Sequence, residues 1–265
     1  MEMAIAFKGE LRRQYGLRRS YRLNAIGTLL VNGSIFIVLT LTFRIMAVRQ
    51  GVIYSSAEQL ASLIGVLMWN FCMRPMGTLP SMMEQEAKLG TLEGMLLSPH
   101  QLRWVLLCRI AALGVIQGIE TCALGIVLAL LLRLQPHQLL PALPVILLTL
   151  LGAWGAGFAL AGLTLVYQSV ARVASLTASL ALFLSGALVP LDALGRVFTV
   201  LKWSLPTTWG IHVVRLLMVY ETPLLSLSTD MLKGFLHTLA LLGIGWIVFG
   251  WGLQRARLKG SLSSY

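Results

Sequence analysis

LLPALPVILLTLLGAWGAGFALAGLTLVY, Leu139–Tyr167, runs from end to end without a charged side chain. A helix needs roughly 20 apolar residues to cross the ~30 Å hydrocarbon core of a bilayer, and this stretch exceeds that minimum. Five more apolar blocks lie on either side of it: Asn24–Phe43, Ala57–Met83, Leu102–Leu132, Ala171–Val189 and Met231–Leu253. The 265 residues are 57% hydrophobic and 12% charged, with a mean hydropathy of +0.80. Soluble domains carry about 25% charged residues, so a water-facing surface of this size could not be covered. Disorder is excluded by the same figures. The expected fold is an all-α integral membrane protein with six transmembrane helices.

Charge sets the orientation. Lys and Arg number 21 against 10 Asp and Glu, a formal net charge of +11. The basic residues collect at the ends of apolar blocks, where they act as topology signals and headgroup contacts rather than as a nucleic-acid footprint. Lys8, Arg12, Arg13, Arg18, Arg19 and Arg22 precede the first block, and Arg255, Arg257 and Lys259 follow the last. Six spans put both termini on one side, and the positive-inside rule makes that side the cytoplasm of a cell membrane. The chain then divides into an interfacial segment 1–22, a six-span bundle 24–253 with an inner loop 84–101, and a tail 254–265, together one transmembrane domain.

The leader has a basic stretch followed by an apolar one, but the apolar run is too long for a signal peptide and no small-x-small site follows it. It reads as a retained first span. Ahead of it Met3, Phe7, Leu11 and Tyr15 recur at i+4, the pattern of an amphipathic helix in the inner interface. Gly9 and Gly16 weaken that helix, which leaves a frayed basic leader as the alternative.

Between the fifth and sixth blocks, residues 190–227 are apolar but broken by Pro190, Gly195, Pro206, Gly210 and Pro223, and they carry Arg215. Short helices dipping part-way into the membrane suit such a segment, provided that protein covers their backbone. Three ionisable residues fall inside spans: Arg74, Arg109 and Glu120. Exposing such groups to lipid costs about 2.5–3.5 kcal/mol, so each either packs and anchors or faces a path. Arg74-Pro75 and Pro80 predict a bend in the second span. Gly152, Gly155 and Gly157 predict close helix contact. Cys72, Cys108 and Cys122 and the four histidines show no ligand spacing, so no metal or bound cofactor is expected.

The inner loop, EQEAKLGTLEGMLLSP (Glu84–Pro99), concentrates three carboxylates. Gly90-Thr91 is a break and an N-cap for a short helix that Pro99 ends. Leu92, Met95 and Leu96 would form its apolar face, suited to a partner's groove. Here the sequence resembles the permease subunits of ABC-2 type transporters, whose pattern is matched by Glu84, Glu86, Gly90, Thr91, Leu92, Glu93, Leu97, Ser98 and Pro99. LSGALVP (Leu184–Pro190), LPTTW (Leu205–Trp209) and Arg215 resemble that family's fifth span and re-entrant outer hairpin. Lys88 stands where the family more often has Arg.

The resemblance implies a permease that pairs with a second copy, as a homodimer, beneath two ATPase subunits. Segment 84–99 would be the coupling helix, and the first, second and fifth spans would line the path. ATP and Mg would be held by the partner ATPase, since this sequence has no G-x-x-x-x-G-K-[ST] phosphate loop. The chain itself is then a non-catalytic subunit of an exporter of drugs, lipids or polysaccharides. Two other classes are weighed against this. An ion-coupled secondary transporter usually shows several buried carboxylates or matched repeats, and only Glu120 is available. An intramembrane serine protease would pair Ser185 with His237, but the Gly-x-Ser-Gly nucleophile motif lacks its first glycine.

Overall fold

A computed structural model describes residues 2–20, 56–90, 102–131, 139–167, 170–185, 204–218 and 220–259, with short runs and single positions between 23 and 45. Among these residues there are helices and turns and no strand. The helices are α1 (Glu2–Ser20), α2 (Ser56–Lys88), α3 (Leu102–Leu131), α4 (Leu139–Thr164), α5 (Val170–Leu184), α6 (Pro206–Met218) and α7 (Ser228–Lys259). A 3-10 turn, Leu224–Leu227, leads into α7. The positions described within the first apolar block, among them 33–38, are helical.

Among the described residues, three helices are long and apolar enough to cross a membrane, over Trp104–Val127, Ala142–Thr164 and Leu224–Leu258. Little of the first and third stretches is buried inside the protein. Ile119, Ile126 and Val127 on α3, and Leu232, Leu236, Ile244 and Ile247 on α7, are all exposed. Apolar surface of that extent is stable only against lipid or more protein. The chain is a multi-pass membrane protein. α5 is apolar but shorter, over Val170–Leu182, and α2 falls short in hydropathy because Asn70, Arg74 and its prolines dilute it.

The predicted boundaries need five corrections, the first at α4, which ends at Thr164 rather than Tyr167; the C-terminal extensions of α2 and α7 share one cause. α2 continues through Lys88 rather than ending at Met83. α7 starts at Ser228 rather than Met231 and runs through Lys259 rather than Leu253, so half of the supposed tail is helix. α5 ends at Leu184, short of Val189. Apolarity marks where lipid begins, whereas Glu, Gln, Ala, Lys and Arg are good helix formers that carry a helix into water. Asp230 in the first turn of α7 and the basic residues of its last turns also complement the helix dipole.

The chain divides into two compact units, Met1–Gln59 with Met95–Gln135, and Leu60–Gly94 with Pro136–Tyr265. In the first, α1 packs along α3. Its inward face is Phe7, Glu10, Leu11 and Gln14, with Lys8, Arg12 and Arg13 outside. The amphipathic helix thus forms, but Tyr15, expected on the apolar face, is 65% exposed. Leu124 of α3 lies in ordinary contact distance of Gly33.

The second unit is built on α4 and α7, whose backbones touch. A Cβ at Gly155 would fall 2.6 Å from the Leu241 backbone, and one at Gly162 2.5 Å from Phe249 Cα. From the other side, a Cβ at Gly245 would fall 2.2 Å from the Gly155 carbonyl, and one at Gly252 2.1 Å from that of Gly162. Glycines seven apart on both helices therefore interlock, as small residues do where no hydrophobic force drives helices together in lipid. Phe158 and Phe249 meet edge to face at 5.5 Å, and the Thr238 hydroxyl donates across to the Leu148 carbonyl at 3.1 Å. Gly157 takes the third partner, α2, with Pro75 O 2.8 Å from its would-be Cβ. There Met73, Met76 and Ala181 form a core with Trp69, Ala156, Leu160, Ala178 and Leu205, and the Trp69 indole donates to Ala178 O of α5 at 2.7 Å.

Candidate functional site

Glu84 and Glu86, assigned to a loop by hydropathy, stand on the last helical turn of α2 and are half-buried. Lys88 pairs with Glu84 one turn earlier, an i,i+4 contact that supports the helix end by about 0.2–0.5 kcal/mol. The Leu89 and Gly90 amides bond back to Gln85 O and Ala87 O, at 3.0 and 3.1 Å. Gly90 has φ +67°, the left-handed stop that glycine provides most cheaply. The break expected at this glycine is present. Thr91, Leu92, Glu93, Leu97, Ser98 and Pro99, and likewise Pro190, lie outside the described residues.

Of the three ionisable residues within spans, Arg109 has a defined partner. Its Nε donates to Glu10 Oε1 at 3.2 Å, with side-chain exposures of 8% and 15%. Arg13 reaches the same oxygen at 3.4 Å. Glu10 was not singled out from the sequence, because an acid in a basic leader carries no motif. Its one signal is spacing, i+3 from Phe7 on the inward face. Arg74 on α2 and Glu120 on α3 are half-buried and engaged in interactions within the protein.

α6 is almost wholly enclosed, from Pro206 at its first position to Met218. Pro206 there forfeits an amide that a helix start leaves unbonded anyway. Gly152 of α4 faces Pro206, and its would-be Cβ also lies 3.5 Å from Thr238 Oγ1 and Leu241 Cδ1 of α7. The Trp209 indole N–H donates to Asp230 O at 2.6 Å, and its ring occupies the notch left by Gly234, where a Cβ would fall 2.0 Å from the ring. α6 is thus fixed to α7 through Trp209 and to α4 through Pro206. Arg215 is half-buried and engaged.

A family model described as ABC-2 type transporter matches residues 5–219, from α1 to the end of α6. The chain belongs to the ABC-2 type transporter family. As an ABC-2 permease it is a membrane component, and the family implies an ABC ATPase as its partner. No curated protein matches the chain. α7 lies beyond the matched residues, although it supplies most of the surface on which α4 rests.

Neither rival class gains support from this permease. Ser185 is 2% exposed, and its hydroxyl has no hydrogen-bond partner among the described residues, whereas a serine nucleophile needs a base within about 3 Å. Among the described residues no group of His, Cys, Asp and Glu side chains is placed to hold a metal ion.

Proposed function

We propose that this ABC-2 permease is the membrane half of an ATP-driven exporter, working as a homodimer on two ATPase subunits that dock at segment 84–99. The observation that carries the reading is the continuity of α2. A single 33-residue helix, about 50 Å long, joins the Met73–Ala181 core to the carboxylates at Glu84 and Glu86 and stops at a left-handed glycine. A continuous helix of that kind, with Pro75 and Pro80 inside it, would pass a push at its cytosolic end to the helices packed around Pro75 and Gly157. Without a phosphate loop, this chain would take that push from ATP and Mg bound on its partner.

α6 supports the family's re-entrant hairpin. Its Pro206 end sits beside the middle of α4 and its Trp209 ring near the start of α7, as one limb of such a hairpin would. Protein covers that helix, as irregular structure at membrane depth requires. With both termini cytoplasmic, this face is the outer one, and the first, second and fifth spans line the path between the two copies. In the double variant Glu84→Lys/Glu93→Lys, transport and co-purification of the ATPase are expected to be lost while membrane insertion persists. Unchanged transport and association would overturn the docking role.

A further inference from the structure

α1 divides its charges between two environments. Lys8, Arg12 and Arg13 are exposed, while Glu10 turns inward with Phe7, Leu11 and Gln14. There its Oε1 accepts from the buried Arg109 of α3 and from Arg13, and its Oε2 is buried as well. Packing alone would not select these residues. A buried ion pair adds little net stability over apolar side chains of the same size, whereas removing either member strands a charge. What such a pair does supply is register, since a planar guanidinium meets a carboxylate in few geometries. Phe7 and Leu11 can slide along an apolar α3; Glu10 on Arg109 cannot.

We propose that Glu10 and Arg109 form a latch that makes α1 and α3 one mechanical body, and that both are positioning residues for transport. The latch stands on the geometry; its part in transport rests on the exporter reading above. Arg109 is thereby held by the interfacial helix.

Two arms test it. In the full chain in nanodiscs, with Cys72, Cys108 and Cys122 replaced by alanine, spin labels at the exposed positions Arg12 and Val115 report the α1–α3 distance. The unsubstituted pair gives one narrow distribution. Glu10→Gln and Arg109→Gln each broaden it about twofold, Arg109→Lys, which keeps the charge but loses the planar fork, broadens it less, and the exchange Glu10→Arg/Arg109→Glu keeps it narrow. In the complex with its ATPase subunits, the two single variants lower ATP turnover about fivefold at unchanged KM, and the exchange restores it. Unbroadened distances in the single variants, or an exchange that stays broad, overturn the latch. Broad distances with normal turnover overturn its part in transport. ATP turnover indifferent to the wild-type permease counts against the exporter reading instead, and the distance arm then decides the latch alone.

Discussion

Gly90 shows how far single residues could be read in advance. A glycine followed by threonine between two helical runs announces a stop, and the observed φ of +67° is the conformation that stop requires. Among the described residues a Cβ there meets no neighbour, and the left-handed φ itself penalises substitution. Gly90→Val is expected to destabilise the end of α2 by about 1–2 kcal/mol, and Gly90→Asn by less, because asparagine tolerates the left-handed region. Thermal unfolding in detergent, with hydrogen exchange over residues 84–90, checks the order; equal effects would show that the strain lies elsewhere. Glu10 is the opposite case. Nothing in its neighbours in sequence foretells a partner 99 positions away, because ion pairing across helices depends on how the helices meet.

At the scale of elements, α3 was legible almost to the residue, since its helix and its apolar run coincide, and α4 to within three residues. α2 and α7 were not, because each outruns its apolar run into helix-forming polar residues. The α4 glycines were also legible as a contact surface, but their partner was not. A GAWGAG run signals close approach, and only the fold names Leu241 and Gly245 of α7 and Pro75 of α2 as what approaches. Gly155→Leu is expected to force α4 and α7 apart, at a cost of about 3 kcal/mol, because the atoms in the way are backbone. Gly243→Leu, on the same helix pair with nothing within 4 Å, is the matched control and leaves stability unchanged or slightly raised. The midpoint of thermal aggregation compares the two, and equal losses would deny the interlock.

For the whole molecule, orientation is the quantity that charge alone specifies. Basic residues gather at both termini, and the exposed Tyr220 and Glu221 that follow α6, with the 3-10 turn, lie at the opposite end of α7. A single cysteine at the exposed Tyr220 is therefore expected to react with a membrane-impermeant maleimide in intact cells. Cysteines at Arg12 and Arg257 react only after permeabilisation. The reverse pattern would turn the permease over and remove segment 84–99 from the reach of any cytosolic ATPase.

By itself, the sequence determined the solvent, the class of fold and the family. These follow from composition, block length and local motif, each of which acts over a helix or less. Tertiary structure decided which glycine faces which backbone, that Trp209 fills the notch at Gly234, and that Arg109 is neutralised by Glu10. The physical reason is that lipid rewards apolarity on every outward face alike. The periodicity that betrays an inward face in water is therefore faint in a membrane helix, and close packing and buried polar pairs choose the partners.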